Sequence, residues 1–400
     1  MVGSIATARS VPDCIGMDVH AKTCTWTAID SSGKPIQRKT FPTNRRALAQ
    51  FARGVAPSVR IGIEASTAGL AVFRLLRDLN LDVHLGSPRK LKAITDSDVK
   101  TDKKDSADLA HLLQMNYFPD CYVPPPNIER IRQLVRHRMR LGQSLTAIKN
   151  QVHALVVKNL FQSQMDGHSD WFGKNALAEL VKLPFNEDDR NVLRSLLEQV
   201  KLLVKEEERM ERDLAKLGET IDEVRLLMTI PGIDFYSALA FIGEIGDVHR
   251  YPSKGHLCSD AGVVPQSDNS GEHISKHRRV KRGNKILKYF LCNAVHGMIS
   301  SRRETAVTKF YKKKAKQIGE GKAKVAAARK LAAIIWRMLM DNTPYVEEDP
   351  ELTSRKVVRM ERTAKSGTNA IADDELISLA SDLGAKEVLL KRMAPGDDSQ

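Results

Sequence analysis

Apolar and polar positions change period several times between residues 14 and 116. CIGMDVH is a short apolar strand candidate, and TCTWTAID alternates. SSGK reads as a turn, after which PIQRKTFP can return as a hairpin partner. NRRALAQFARGV has helical spacing and ends at a glycine. VRIGIEAS is a second buried strand, AGLAVFRLLRDLN a helix and LDVHLGSP a third strand. A helix carrying KTDKKDSADLAHLL follows. The order β-β-β-α-β-α-β-α predicts a mixed sheet with helices on its faces, since hairpin strands come first and β-α crossovers after.

YVPPPNIER breaks this pattern, and beyond it the spacing is helical. Leu134, Leu141, Leu145, Ile148, Val152 and Leu155 form one apolar series. A second runs Leu193, Leu196, Val200, Leu203, Glu207, Met210, Leu214, Leu217, Ile221, Val224 and Met228, in steps of three and four. That is the seam of a coiled coil, with one polar member, Glu207. Two such helices could fold back on each other or pair with a second chain. LLMTIPGIDFYSALAFIGEIGDVHRY then places Pro231-Gly232 between apolar helical segments. This spacing is similar to a helix-hairpin-helix module, whose amides touch phosphates, and equally to a plain packing corner. We divide the chain into an α/β domain over 12–122, a coiled-coil helical region over 127–226, a mostly helical domain over 227–341 and a partly disordered tail over 342–400.

Hydrophobic residues make up 42% of the 400 residues, enough for real cores in more than one domain. Lys and Arg outnumber Asp and Glu by 63 to 49, a formal charge of +14. The excess is clustered, which suits a nucleic-acid partner better than a merely basic surface. The five cysteines include no CxxC pair, so no zinc ribbon or disulfide framework is expected. No apolar run reaches the roughly 20 residues of a membrane helix, and the start does not read as a secretory signal. A cytoplasmic protein with no membrane partner is expected.

An acid inside an apolar strand is costly unless neutral, paired or bound to a cation. Asp18 lies in IGMDVH and Glu64 ends RIGIEAS. Asp102 and Asp105 share one face at the start of a helix, with Asp98 and Asp108 as weaker candidates. Each has a plain reading too: a turn acid for Asp18, a helix cap for Glu64, dipole-favoured N-terminal acids for the pair. Together the four offer hard oxygen ligands for Mg²⁺, or Mn²⁺, at one sheet edge. Two such ions about 3.5–4 Å apart can clamp an in-line phosphoryl displacement. Lys100, Lys103 and Lys104 could meet a nucleic-acid backbone there. A second basic run, SKHRRVKRGNK, supplies Lys276, Arg278, Arg279, Lys281, Arg282 and Lys285, and a third supplies Lys312, Lys313 and Lys314. His20 is read as a strand-flanking structural residue. GEGK at 319–322 lacks the spacing of a phosphate-binding loop, which excludes ATP binding there.

The element order and the motifs GMDVH, GIEAS and KTDKKDSADLA resemble the ribonuclease-H-like (Holliday-resolvase-like) domain of the DEDD transposases of bacterial insertion sequences. TIPGI, IGDVHRY, AGVVPQSDNSG and ISKHRRVKRGNKILKYFL resemble that family's C-terminal transposase domain. Together they cover about 14–340. The resemblance implies a DNA recombinase guided by an element-encoded bridge RNA that pairs with donor and target DNA. It also implies a serine nucleophile in the C-terminal domain, beside the acidic metal site Asp18, Glu64, Asp102 and Asp105. The family has two serines before a glycine at this point; this chain has Asn269-Ser270-Gly271. Ser270 is therefore the candidate and Ser267 the fallback. A serine acting with acids of another protomer would require a homo-oligomer, a dimer or tetramer. The competing reading is a metal-dependent junction resolvase that uses water.

Overall fold

The computed structural model describes residues 12–94, 102–265 and 283–366; for Asp102, Lys103 and Lys174 only the helical backbone is described. The chain divides into two compact units between Val123 and Pro124.

The first unit runs β1 (Cys14–Val19), β2 (Thr23–Ile29), β3 (Pro35–Pro42), α1 (Arg45–Arg53), β4 (Arg60–Glu64), α2 (Thr67–Asp78), β5 (Asp82–Gly86), α3 (Pro88–Ile94) and α4 (Asp102–Gln114). The order is the expected one with α3 added. That short helix buries only Leu91, too few apolar positions to show a period. The strands form one mixed sheet in the order β3-β2-β1-β4-β5, compatible with a ribonuclease-H-like fold. β1, β2 and β3 are antiparallel neighbours, while β4 runs parallel to β1 and to β5. The β2–β3 turn is closed by Asp30, whose Oδ1 accepts from Ser32 N and Lys34 N, each at 3.0 Å.

Strand alternation sends Ile15, Met17, Cys24, Trp26, Ile61, Ile63, Val83 and Leu85 to one face, where they pack with Leu48 of α1 and Val72 and Leu76 of α2. The other face carries α4. The contact is close because β1 has a glycine there: a Cβ on Gly16 would lie 1.9 Å from Ser106 O and 2.5 Å from Ala110 N.

Among its described residues the second unit is helical: α5 (Pro126–Lys158), α6 (Lys174–Leu180), α7 (Glu187–Glu219), α8 (Asp222–Met228), α9 (Phe235–Ile245), α10 (Lys254–Asp260), α11 (Lys285–Ser300), α12 (Ala306–Ile318), α13 (Glu320–Asp341) and α14 (Pro350–Lys365). α5 and α7, 33 residues each, fold back on each other within the chain. They run antiparallel: Lys158 Nζ at the end of α5 meets Asp189 Oδ1 near the start of α7 at 2.9 Å, while Arg138 near the start of α5 meets Glu207 and Glu211. Glu207, the polar member of the seam, is thus there for Arg138.

The seam does not continue through one helix to Met228. α7 stops at Glu219, where the Thr220 hydroxyl donates to Leu217 O at 2.8 Å, and α8 restarts with Asp222 and Glu223 in its first turn. A threonine competing for helix carbonyls and a pair of dipole-favoured acids explain the break. The three-four spacing survives it because Val224 and Met228 face the same core as Leu214. That core takes in α5 and α7–α14; the far end of the α5–α7 pair has its own cluster around Val152, Met165, Leu180 and Leu193. Residues after 342 join the main core through Tyr345, Met360 and Ala364.

Candidate metal and nucleic-acid site

The β1–β4 register carries the acidic site. Cys14 pairs with Arg60, Gly16 with Gly62 and Met17 with Ile63. One step further stand Asp18 and Glu64, at the C-terminal ends of adjacent parallel strands. Asp18 is 9% exposed and points to the α4 face, with its Oδ2 3.1 Å from His20 Nε2. The expectation for His20 is refined by this: it sits on the acid itself. Glu64 is exposed and pairs in register with Gly86 of β5.

α4 lies antiparallel to β1. Its Leu113 packs with Cys14 and Ile29, and Ala110 and Ser106 meet Gly16. At its C-terminal end Gln114 Nε2 donates to Asp30 O, and His111 Nε2 donates to Gly33 O, both at 2.8 Å. Ser106 Oγ lies 2.8 Å from Thr27 Oγ1. Each step back along α4 therefore moves toward the C-terminal end of β1, and the backbone of Asp102 and Asp105 reaches the edge held by Asp18 and Glu64. Asp105 is half-buried and Lys104 exposed. Asp108, one turn on, has its carboxyl pushed above the usual range by burial, with Lys104 opposing and Asp105 adding to the rise.

Hard carboxylate oxygens suit Mg²⁺ or Mn²⁺ in kind. Among the described residues no three His, Cys, Asp or Glu side chains close on a point that would hold an ion. The register sets the strand ends of Asp18 and Glu64 side by side, and of Asp102 only the backbone is described. Asp98 and Lys100 lie outside the described residues, as does the side chain of Lys103.

In the second unit, Ser267, Ser270, Lys276, Arg278, Arg279, Lys281 and Arg282 lie outside the described residues. The residues flanking them are built around a buried carboxylate. Glu244, 1% exposed, accepts both arms of Arg136 at 2.7 and 2.9 Å and Asn284 Nδ2 at 2.7 Å. Burial alone would raise its pKa, but the hydrogen bonds of Arg136 and Asn284 outweigh it and hold the carboxyl below its usual value. Asn284 also caps α11 through Ile286 N and Leu287 N, and its own N–H donates to Asp260 O at 2.6 Å. Tyr251 donates to Asp260 Oδ2 at 2.5 Å. The local signal for this network is an acid within AFIGEIG, as costly in an apolar run as Asp18.

Of the remaining basic candidates, Lys285 is exposed in the first turn of α11. Lys312 and Lys313 are exposed and Lys314 is half-buried; Lys312 is engaged by Glu304 at 3.1 Å. The Pro231-Gly232 turn joins α8 to α9 as a hairpin. Gly232 has φ +82°, and a Cβ there would lie 2.5 Å from Ala294 O of α11. Lys356 of α14 donates to Met228 O and, at 2.9 Å each, to Ile230 O and Ile233 O. The corner is therefore a packed structural joint.

Two family models match, in chain order. A transposase model of the DEDD, IS110 type covers residues 15–161, and a model described as the IS116/IS110/IS902 transposase family covers 224–312. The chain is 26% identical over 352 residues to the transposase for insertion sequence element IS1111A of Coxiella burnetii, spanning 84% of this chain and 93% of that protein. It is 23% identical over 340 residues to the transposase for insertion sequence element IS1328 of Yersinia enterocolitica, spanning 83% and 98%. A shorter similarity, 33% over 123 residues, joins 30% of this chain to 38% of a pilin gene-inverting protein of Moraxella bovis.

Proposed function

Because the chain belongs to the IS110-type family of DEDD transposases, we propose that it is the DNA recombinase of an insertion sequence and that Asp18, Glu64, Asp102 and Asp105 hold its divalent metal. The observation that carries this reading is the β1–β4 register with α4 lying antiparallel over it. It supports four carboxylates at one sheet edge, from three elements far apart in sequence. A bound ion would offset charge on the oxygens of a scissile phosphate. The chain's own residues contribute the rest. Lys104, with Lys103 and Lys100, meets the phosphate backbone, while His20 orients the Asp18 carboxylate.

Ser270 is the proposed nucleophile, with Ser267 as the alternative, and a bridge RNA is the proposed guide. Both rest on the family resemblance. Lys276, Arg278, Arg279, Lys281, Arg282 and Lys285, and in the second patch Lys312, Lys313 and Lys314, are proposed to contact DNA or RNA phosphates. A homo-oligomer is proposed as the working form.

Cleavage of element-end DNA, assayed in Mg²⁺, Mn²⁺ or EDTA with and without the element's RNA, tests the reading. Asp18→Asn and Glu64→Gln are expected to lose cleavage while still binding DNA. Ser270→Ala is expected to remove a covalent protein–DNA adduct. Undiminished cleavage by Ser270→Ala and Ser267→Ala, with no adduct, would instead favour the water-using resolvase.

A further inference from the structure

The sheet face opposite Asp18 carries a second feature. β3 is an edge strand, and between it and α1 opens a cavity of about 350 Å³. Its size falls at the lower end of small-ligand sites, roughly 300–1,000 Å³. Three aromatic rings line it. Trp26 and Phe51 are 5.4 Å apart edge to face, and Phe41 and Phe51 are 5.6 Å apart and tilted. Trp26 is nearly buried, whereas the other two are half-open to solvent. Gln37 and Lys39 of β3 and Gln50 of α1 form an exposed polar rim. Residues 31–59, which carry β3 and α1, hold no acid: Lys39 lines the pocket, Lys34, Arg45, Arg46 and Arg53 stand on the same segment, and Arg38 turns to the other face, where its Nε donates to Thr27 Oγ1 at 3.0 Å. All six are exposed.

Packing does not account for this composition. A solvated helix and strand ordinarily mix both signs, and a purely hydrophobic gap would not be rimmed by two amides and a lysine. A base has a π-face for the rings and edge donors and acceptors for the glutamines, and its backbone brings one negative charge per nucleotide. A stacked duplex cannot put a base into a concave pocket without unpairing it. We propose that the pocket between β3 and α1 holds one unpaired base of a single-stranded nucleic acid, whose phosphates follow the basic rim. The inference rests on the nucleic-acid enzyme reading above and adds a site separate from the acidic edge, since Trp26 and Thr25 alternate across the sheet.

The test uses the full-length chain in EDTA. Trp171→Phe and Trp336→Phe leave Trp26 as the only one of three tryptophans. Four probes are titrated: a thymidine 12-mer, a uridine 12-mer, an abasic strand of equal length and a 12-base-pair duplex. Either pyrimidine strand is expected to quench Trp26 and to bind roughly tenfold tighter than the abasic strand, as one stacked base would give. Preference between thymidine and uridine identifies DNA or RNA as the source, and equal affinity means that the sugar is not read. Phe41→Ala is expected to remove the tenfold advantage. Because that change touches the core, Lys39→Glu at the exposed rim must also weaken the pyrimidine strands, with an unchanged circular dichroism spectrum. Abasic and duplex probes that bind as tightly as thymidine, with no quenching, would overturn the pocket and leave the recombinase reading standing. No binding to any of the four would count against both.

Discussion

A methyl group on Gly16 has nowhere to go, because the atoms it would meet are backbone O and N of α4. Gly16→Ala is expected to cost more than about 2 kcal/mol, read as a lowered denaturation midpoint. Gly62→Ala meets only carbons of the Leu113 and Phe118 side chains, which can shift, so its loss should be smaller. Asp18 and Glu244 invite the same comparison: each is an acid in an apolar run. Asp18 stands at a strand end with His20 on its Oδ2. Glu244 is buried and accepts three hydrogen bonds from Arg136 and Asn284. Glu244→Gln, which leaves Arg136 without a counter-charge, is expected to destabilise the second unit by about 2 kcal/mol, less than a fully enclosed pair because Arg136 is partly solvated. Its carboxyl titrates below the ordinary 4.5. The stability it contributes is thus complete above that pH and is lost as acid takes the pH down through the folded-state value. A melting series from pH 6 to 3 on wild type and Glu244→Gln checks this; the gap between them should narrow as the pH falls below 4.5.

Among elements, the α5–α7 pair carries a polar insertion within its apolar seam. Arg138 and Glu207 are each under a fifth exposed, with Glu211 at 2.5 Å completing the cluster. Arg138→Ala strands two carboxylates and is expected to cost about 3 kcal/mol. Arg138→Met with Glu207→Leu should recover most of it, which a double-mutant cycle by chemical denaturation would measure. α14 is the second case. Its Lys356 satisfies three carbonyls of the α8–α9 hairpin, and Met360 is fully buried. Lys356→Met takes this donor from Met228 O and Ile233 O, while Ile230 O keeps the N–H of Ile233; the cost is roughly 1–3 kcal/mol, expected as a drop in melting temperature of the second unit. A region that reads as an appendage thus begins with a helix that closes the core.

For the molecule as a whole, the charge of +14 sets the expected behaviour on DNA. Binding should weaken steeply with salt, with a log–log slope of roughly −0.9 per phosphate neutralised. Asp18→Asn and Glu64→Gln should leave that slope unchanged while abolishing cleavage, because they lie in the acidic edge and not on the basic surface. The oligomer predicted from the serine assignment is checked by size exclusion with light scattering. A strict monomer with DNA and RNA bound would remove that part of the reading.

The sequence by itself determined the strand order of the first unit and its helices other than α3, the acids at its strand ends and the two long amphipathic helices. These follow from local periodicity and from the cost of an acid in an apolar run, which neighbouring residues along the chain are enough to reveal. α3 was hidden because a two-turn helix burying one leucine has no period, and the break at Thr220 was hidden because the apolar spacing runs straight across it. Only the tertiary structure decided that Asp18 stands beside Glu64, that Glu207 answers Arg138, that Glu244 is an internal ion pair, and that aromatic rings of β2, β3 and α1 share one pocket. Each of these joins groups distant in sequence, through strand register or helix packing. A one-residue shift of a strand would send every side chain to the other face, so such pairings are set by how the whole core fills.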